Sequence, residues 1–174
     1  MGIRNPRRFK YLFIIYLTQD GIIDIMENLI NILKELQASA MKMYAQSHGY
    51  HWNVVGRMFK QDHAFLLEIY EDVFDSIDTY AESIRKLGAK APFGLVQLQS
   101  NSSLIINDSL DLNSNQMFQE LIKTNTQIIV RLKDACDIAD ETREQSILNF
   151  LADRLDKHEF WQWQLTSTLK STVI

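Results

Sequence analysis

At 174 residues, 46% of them hydrophobic and 23% charged, the chain has the length and composition of one soluble domain with a substantial core. Six glycines and two prolines are few and favour long uninterrupted helices, while the lone Cys136 excludes an internal disulfide framework and suits a reducing compartment, the cytoplasm. The net charge of −4 is uneven: residues 1–25 carry four basic and two acidic groups, the rest 14 basic and 20 acidic, so affinity for DNA has to come from the amino-terminal arm.

That arm reads "RNPRRFK" followed by "YLFIIYL". Seven apolar residues fall far short of the roughly 20 that span a bilayer, and no small-residue cleavage site follows, so no membrane span is expected. Residues 1–25 are compatible with an ordered or membrane-touching arm, a disordered DNA-binding arm, or an extension upstream of a natural start at Met26. The expected division is therefore residues 1–25 as an extension and 26–174 as the folded domain.

Leu29, Ile32, Leu33, Leu36, Ala40, Met43 and Tyr44 recur at three-to-four spacing and predict a helix that continues to about Asn53 and stops before Gly56. A second helix is predicted from about Met58 to Leu87, burying Phe59, Phe65, Leu66, Ile69, Tyr70, Val73, Phe74 and Ile77, with Gly88 suited to its C′ position. Residues 89–112, holding Pro92, Gly94 and "QSNSS", read as a long connection with room for a short helix. A third helix fits Gln116 to about Ile138, with Cys136 expected on a buried face. A fourth opens at "TREQ", a capping-box pattern at Thr142–Gln145, and runs through Phe160 to Leu165. No segment sustains a period of two. Two helices, a long crossover and two more helices give an all-α, ferritin-like four-helix bundle.

Many such bundles hold a di-iron site inside, built on Glu-x-x-His pairs. No glutamate here has a histidine three positions on, so an internal site of that kind is not expected. The remaining candidates are His51 at the end of the first helix, His63 early in the second, and Asp78 and Glu82 late in the second. The two carboxylates, four apart, share a helix face and can clamp one cation, and imidazole with carboxylate suits iron or zinc. Fifteen residues of helix separate His63 from Asp78 by roughly 22 Å. One chain cannot bring both to one ion. A metal site from these residues requires a second copy lying antiparallel across a two-fold axis. The plainer alternatives are a solvated face for Asp78 and Glu82 and a cap or packing role for each histidine. His48 and His51, three apart, share a face but make a weak pair by themselves.

Taken together, "HWNVVGRMFKQDH", "DTYAESIRKLGAKAPFG" and "LDKHEFWQWQL" resemble the motifs of the Dps family, ferritin-like proteins that protect DNA during starvation. The resemblance runs from about residue 27 to 170, with Ser83 standing where the family commonly has arginine. It implies a hollow shell of twelve subunits with ferroxidase sites at two-fold interfaces, His51 and His63 coming from one subunit and Asp78 and Glu82 from its partner. It implies that two Fe²⁺ are oxidised there, with hydrogen peroxide preferred to O₂, and that ferric mineral is stored in the cavity. Consuming peroxide two electrons at a time avoids releasing hydroxyl radical. Trp52 would then lie close to the site and intercept stray oxidising equivalents; its alternative role is core packing.

One position departs from the family. Four residues after the second histidine it usually supplies a carboxylate, and this chain has Leu67. Glu68 lies about 100° round the helix, and Glu71 keeps roughly the face of Leu67 one turn on. The expectation is one well-defined iron position (His51, Asp78, Glu82) and a weak second one, helped by Glu71 or water. The alternative function is a DNA-coating shell, nucleoid-associated, with reduced or lost ferroxidase activity.

Overall fold

The computed structural model describes residues 19–170, and the side chains of all of these except 19, 20 and 22. The described residues form five helices and no strand: α1 (Gln19–Asn53), α2 (Phe59–Lys86), α3 (Leu95–Asn101), α4 (Ser114–Glu141) and α5 (Gln145–Leu169). α1 and α2 make one antiparallel hairpin, α4 and α5 the other, and α1 against α4 joins the two. None of these helices is long and apolar enough to cross a membrane. α1 begins before Met26 and passes through residue 25 without a break. Residues 1–18, the basic and apolar part of the arm, lie outside the described residues.

The apolar stripes read from the sequence meet in one core. Leu29, Leu33, Leu36 and Met43 of α1 pack with Leu66, Ile69, Val73 and Ile84 of α2, Phe118, Leu121 and Leu132 of α4, and Leu151 and Leu165 of α5. α2 ends as its glycine predicts: Gly88 sits at φ 84°, and the amides of Gly88 and Ala89 return to the carbonyls of Arg85 and Ile84. Two of the expected burials are corrected. Phe59 and Phe74 are 46% and 54% exposed, because both lie on a flank of α2 that the described helices leave largely open. Phe160 is also exposed, at 50%, and Cys136 is partly buried and free.

The capping box is real but belongs elsewhere. Asn113 accepts from the Gln116 amide while the Gln116 side chain accepts from the Asn113 amide, closing the box at the start of α4. Thr142 instead ends α4, its hydroxyl donating back to the Ile138 carbonyl, and Arg143 takes a positive φ of 61° to turn the chain into α5. The crossover is tied to one face of α1 by polar side chains. Gln37 donates to the Pro92 carbonyl at 3.0 Å, Ser39 pairs with Ser102, and Lys42 donates to the carbonyls of Ser102 and Leu104. These contacts explain the polar run inside an otherwise apolar helix: each group satisfies a crossover atom that burial would leave without water.

Polar groups also lock α5 in place. Arg154, 4% exposed, donates to Asp72 of α2 at 2.6 Å and lies over the Trp161 ring at 5.5 Å. Buried His158 donates from Nδ1 to the Asn125 side-chain oxygen at 2.6 Å, and Asn125 donates back to the His158 carbonyl. Burial, with the nearby Arg154 cation, holds this imidazole well below its ordinary range. The folded chain therefore keeps His158 neutral while the unfolded chain takes up a proton below about pH 6.5. Stability should fall with pH from there downward, by up to about 1.4 kcal/mol per pH unit from this site. Urea unfolding at pH 7 and pH 5.5 should show a shallower acid loss in His158→Gln than in the parent.

Candidate metal centre

His51 stands in the last turn of α1 and His63 in the first turns of α2, on either side of the bend at residues 54–58. Gly56 takes φ 125° in that bend, a conformation open to glycine, and the Phe59 amide closes it on the Gly56 carbonyl at 3.1 Å. The bend brings the two imidazoles together with ring centroids 3.6 Å apart. Each ring is then held by the other residue's backbone. His51 Nδ1 lies 2.8 Å from the His63 carbonyl, and His63 Nδ1 lies 2.9 Å from the His51 carbonyl.

A carbonyl only accepts, so Nδ1 carries the proton in both rings and both Nε2 lone pairs are left for a cation. Metal-binding histidines are commonly oriented in this way, with the second ring nitrogen donating to a fixed oxygen. The sequence offered the spacing of twelve but not this reciprocal pair, which depends on how tightly the chain bends between α1 and α2.

Asp78 and Glu82 are exposed, one turn apart on the same flank of α2, far along the helix from His63. No three His, Cys, Asp or Glu side chains among the described residues of one chain come close enough to share an ion. The geometry thus leaves two halves: a preorganised imidazole pair at one end of α2, and a carboxylate pair at the other. Asp78 borders a groove of about 640 Å³ between α2 and the crossover, lined by Phe74, Asp75, Ala81, Pro92 and Phe93. Most of its wall lies within the single segment 74–98, folded back on itself where α2 ends at Gly88, and Gln37 and Met41 of α1 complete it.

Leu67 is partly buried and supplies no donor; Glu68 and Glu71 are exposed. Asp72, a further carboxylate on this part of α2, is engaged by Arg154. That ion pair commits Asp72 to the guanidinium and leaves it unavailable as a donor to a cation within the bundle. Trp52 is 67% exposed and lies tilted against the His48 ring, with centroids 4.2 Å apart. Among the described residues it is therefore not part of the core.

A ferritin-like domain model matches residues 30–172, spanning both histidines, both carboxylates and the bundle from within α1 to the end of α5. The chain is a ferritin-like protein of the Dps family. The DNA protection during starvation protein of Helicobacter pylori is 28% identical over 138 residues, covering 79% of this chain and 96% of that protein. A low temperature-induced protein of Nostoc is 29% identical over 150 residues, 85% of this chain and 83% of the relative. Among solved structures, Dps from Thermosynechococcus elongatus superposes with a TM-score of 0.84 at 24% identity, over 88% of this chain and 97% of that one. Dps from Vibrio cholerae O1, described as a member of a broad superfamily of ferritin-like diiron-carboxylate proteins, superposes at 0.79 with 26% identity, over 84% and 92%. The Dps fold thus extends through the later crossover and α4, the regions least marked by sequence motifs.

Proposed function

We propose that this Dps-family chain sequesters iron as one subunit of a hollow, twelve-membered shell, oxidising Fe²⁺ with hydrogen peroxide, or more slowly with O₂, and storing the ferric product. Iron is substrate and cargo here. The observation that carries the reading is the reciprocal His51–His63 pair, which fixes both Nε2 atoms as free donors. Two imidazoles alone hold Fe²⁺ weakly, and carboxylates provide the charged oxygen donors that suit iron. Asp78 and Glu82 of a neighbouring copy complete each site, two equivalent sites per two-fold interface. The exposed apolar surface beside Asp78, Phe74 on α2 and Phe93, Leu95 and Val96 on the crossover, is the kind of patch a second subunit covers.

Oxidation of iron at such a site withholds Fe²⁺ from peroxide in solution and so protects against oxidative damage in the cytoplasm. His51, Asp78 and Glu82 form the tight position. The second position, with His63, lacks a charged donor because of Leu67, and Glu71 lies one turn too far along for a direct substitute without adjustment or water. Anaerobic Fe²⁺ titration of the purified protein should show about one tight iron per site, and Leu67→Asp about two. Two equal tight irons in the parent would refute the weak second position. No ferric absorbance after peroxide would sink the ferroxidase reading altogether.

Leu67 also favours a second reading, a DNA-coating shell with reduced iron oxidation. The body is acidic, so residues 1–25 would have to carry the phosphate contacts. Gel shifts with the whole chain and with a chain starting at Met26 separate the two readings. A salt-sensitive shift that disappears with the arm supports DNA binding, and a salt-insensitive or absent shift removes it.

A further inference from the structure

Beside the imidazole pair runs a set of aromatic rings that the metal geometry does not use. His48, one turn before His51 on α1, stacks on Tyr70 of α2 with ring centroids 4.1 Å apart and 26° between planes. Trp52 covers His48 at 4.2 Å, and Tyr70 meets His51 edge-on at 5.1 Å. Tyr44, a further turn back along α1, lies 5.3 Å from the His48 ring, and its hydroxyl is 3.1 Å from His48 Nδ1. In the tautomer protonated on Nε2 the Tyr44 phenol donates to Nδ1. Contacting rings therefore lead from His51 to a phenol that already has a base for its proton.

Resting on the ferroxidase reading, we propose that Tyr44 gives one electron to the iron–peroxide reaction through the His48–Tyr70 stack, with His48 receiving its proton. Reducing peroxide fully to hydroxide, with no hydroxyl radical left over, takes two electrons. A lone Fe²⁺ supplies one, and with Leu67 in place the neighbouring position is poorly furnished to hold the iron that would supply the other. Tyr44 supplies it. Fe²⁺ and the phenol each lose one electron, and peroxide is reduced to two hydroxides, one of which takes the phenolic proton by way of His48. The balance is Fe²⁺, hydrogen peroxide and tyrosine going to Fe³⁺, tyrosyl radical, hydroxide and water. Hydroxyl radical, the product of one-electron cleavage, is not released. Tyr44 acts through other residues and touches no iron, so it is a positioning and relay residue rather than a catalytic one.

The test loads the assembled protein anaerobically with one Fe²⁺ per site and adds one equivalent of hydrogen peroxide. Ferric absorbance, rapid-freeze electron paramagnetic resonance and a spin trap for hydroxyl radical are read together. The parent should give ferric iron and a tyrosyl radical with little trapped hydroxyl radical. Tyr44→Phe keeps the ring that packs at 5.2 Å on Phe74 and loses only the hydroxyl. It should lose the radical and give severalfold more trapped hydroxyl radical per iron oxidised. His48→Phe keeps an aromatic ring but removes the proton acceptor, and should lower the radical yield in the same direction. Ferric iron without any tyrosyl radical in the parent would overturn the relay and leave the ferroxidase reading standing. A radical that survives in Tyr44→Phe and disappears in Tyr70→Phe or Trp52→Phe would also overturn it. Absence of ferric iron in the parent would overturn both.

Discussion

Two inactive variants of this protein should restore activity to each other. The first carries His51→Ala and His63→Ala; the second carries Asp78→Asn and Glu82→Gln. Each alone should lose iron oxidation by about 100-fold or more, since loss of mere supporting contacts already costs 10–100-fold in metal affinity. Mixed by unfolding and reassembly at equal amounts, random pairing makes half of the two-fold pairs heterologous. Each such pair has one site with both halves removed and one with both intact, so activity should return to about a quarter of the parent's. The reason is geometric: His63 and Asp78 are roughly 22 Å apart along α2, and no chain can supply its own second half. Failure of the mixture to exceed either variant, with assembly verified by sedimentation, would place the iron chemistry elsewhere.

Removing Asp72 should destabilise the bundle by about 3 kcal/mol, because it leaves the Arg154 charge buried without its counter-ion. The Arg154 side chain is 5% exposed and that of Asp72 33%, so water can reach the acid but offers little to the guanidinium. The partial exposure of Asp72 sets the effect at the lower end of the range for broken buried pairs. For a chain of this length that corresponds to a fall of about 6–12 °C in Tm in Asp72→Leu. Replacing both partners, Asp72→Leu with Arg154→Met, should recover most of the loss, since neither charge then remains to be solvated. Thermal unfolding at one fixed protein concentration checks this, because assembly makes Tm concentration-dependent. A double variant no more stable than Asp72→Leu would show that packing around Trp161, rather than charge, sets the cost.

The helical plan, the crossover and its short helix, and Gly88 as a helix stop were legible because they depend on local periodicity and backbone preference. The capping box was misplaced for an instructive reason. "TREQ" has the right letters, but Thr142 was already committed to the Ile138 carbonyl at the end of the preceding helix, whereas Asn113 and Gln116 were free to close on each other. Phe59 and Phe74 were misread because helical spacing identifies an apolar face without saying whether this chain or another covers it. His158 passed without a structural role, since the Asn125 that neutralises its burial lies 33 residues away.

By itself, then, the sequence determined an all-α chain of the Dps type, named His51, His63, Asp78 and Glu82 as candidates, and forced any shared ion onto an interface between copies. It also exposed Leu67 as a missing carboxylate. Only the tertiary structure decided how the candidates are prepared. The bend at Gly56 sets His51 and His63 against each other's carbonyls, and the crossover walls a groove beside Asp78. Arg154 occupies the bundle interior, and His48 stands between Tyr44, Tyr70 and the imidazole pair. Spacing along one helix fixes distance and face. The orientation of a ring nitrogen depends on which carbonyl a separate segment brings within 3 Å, and that is a property of packing.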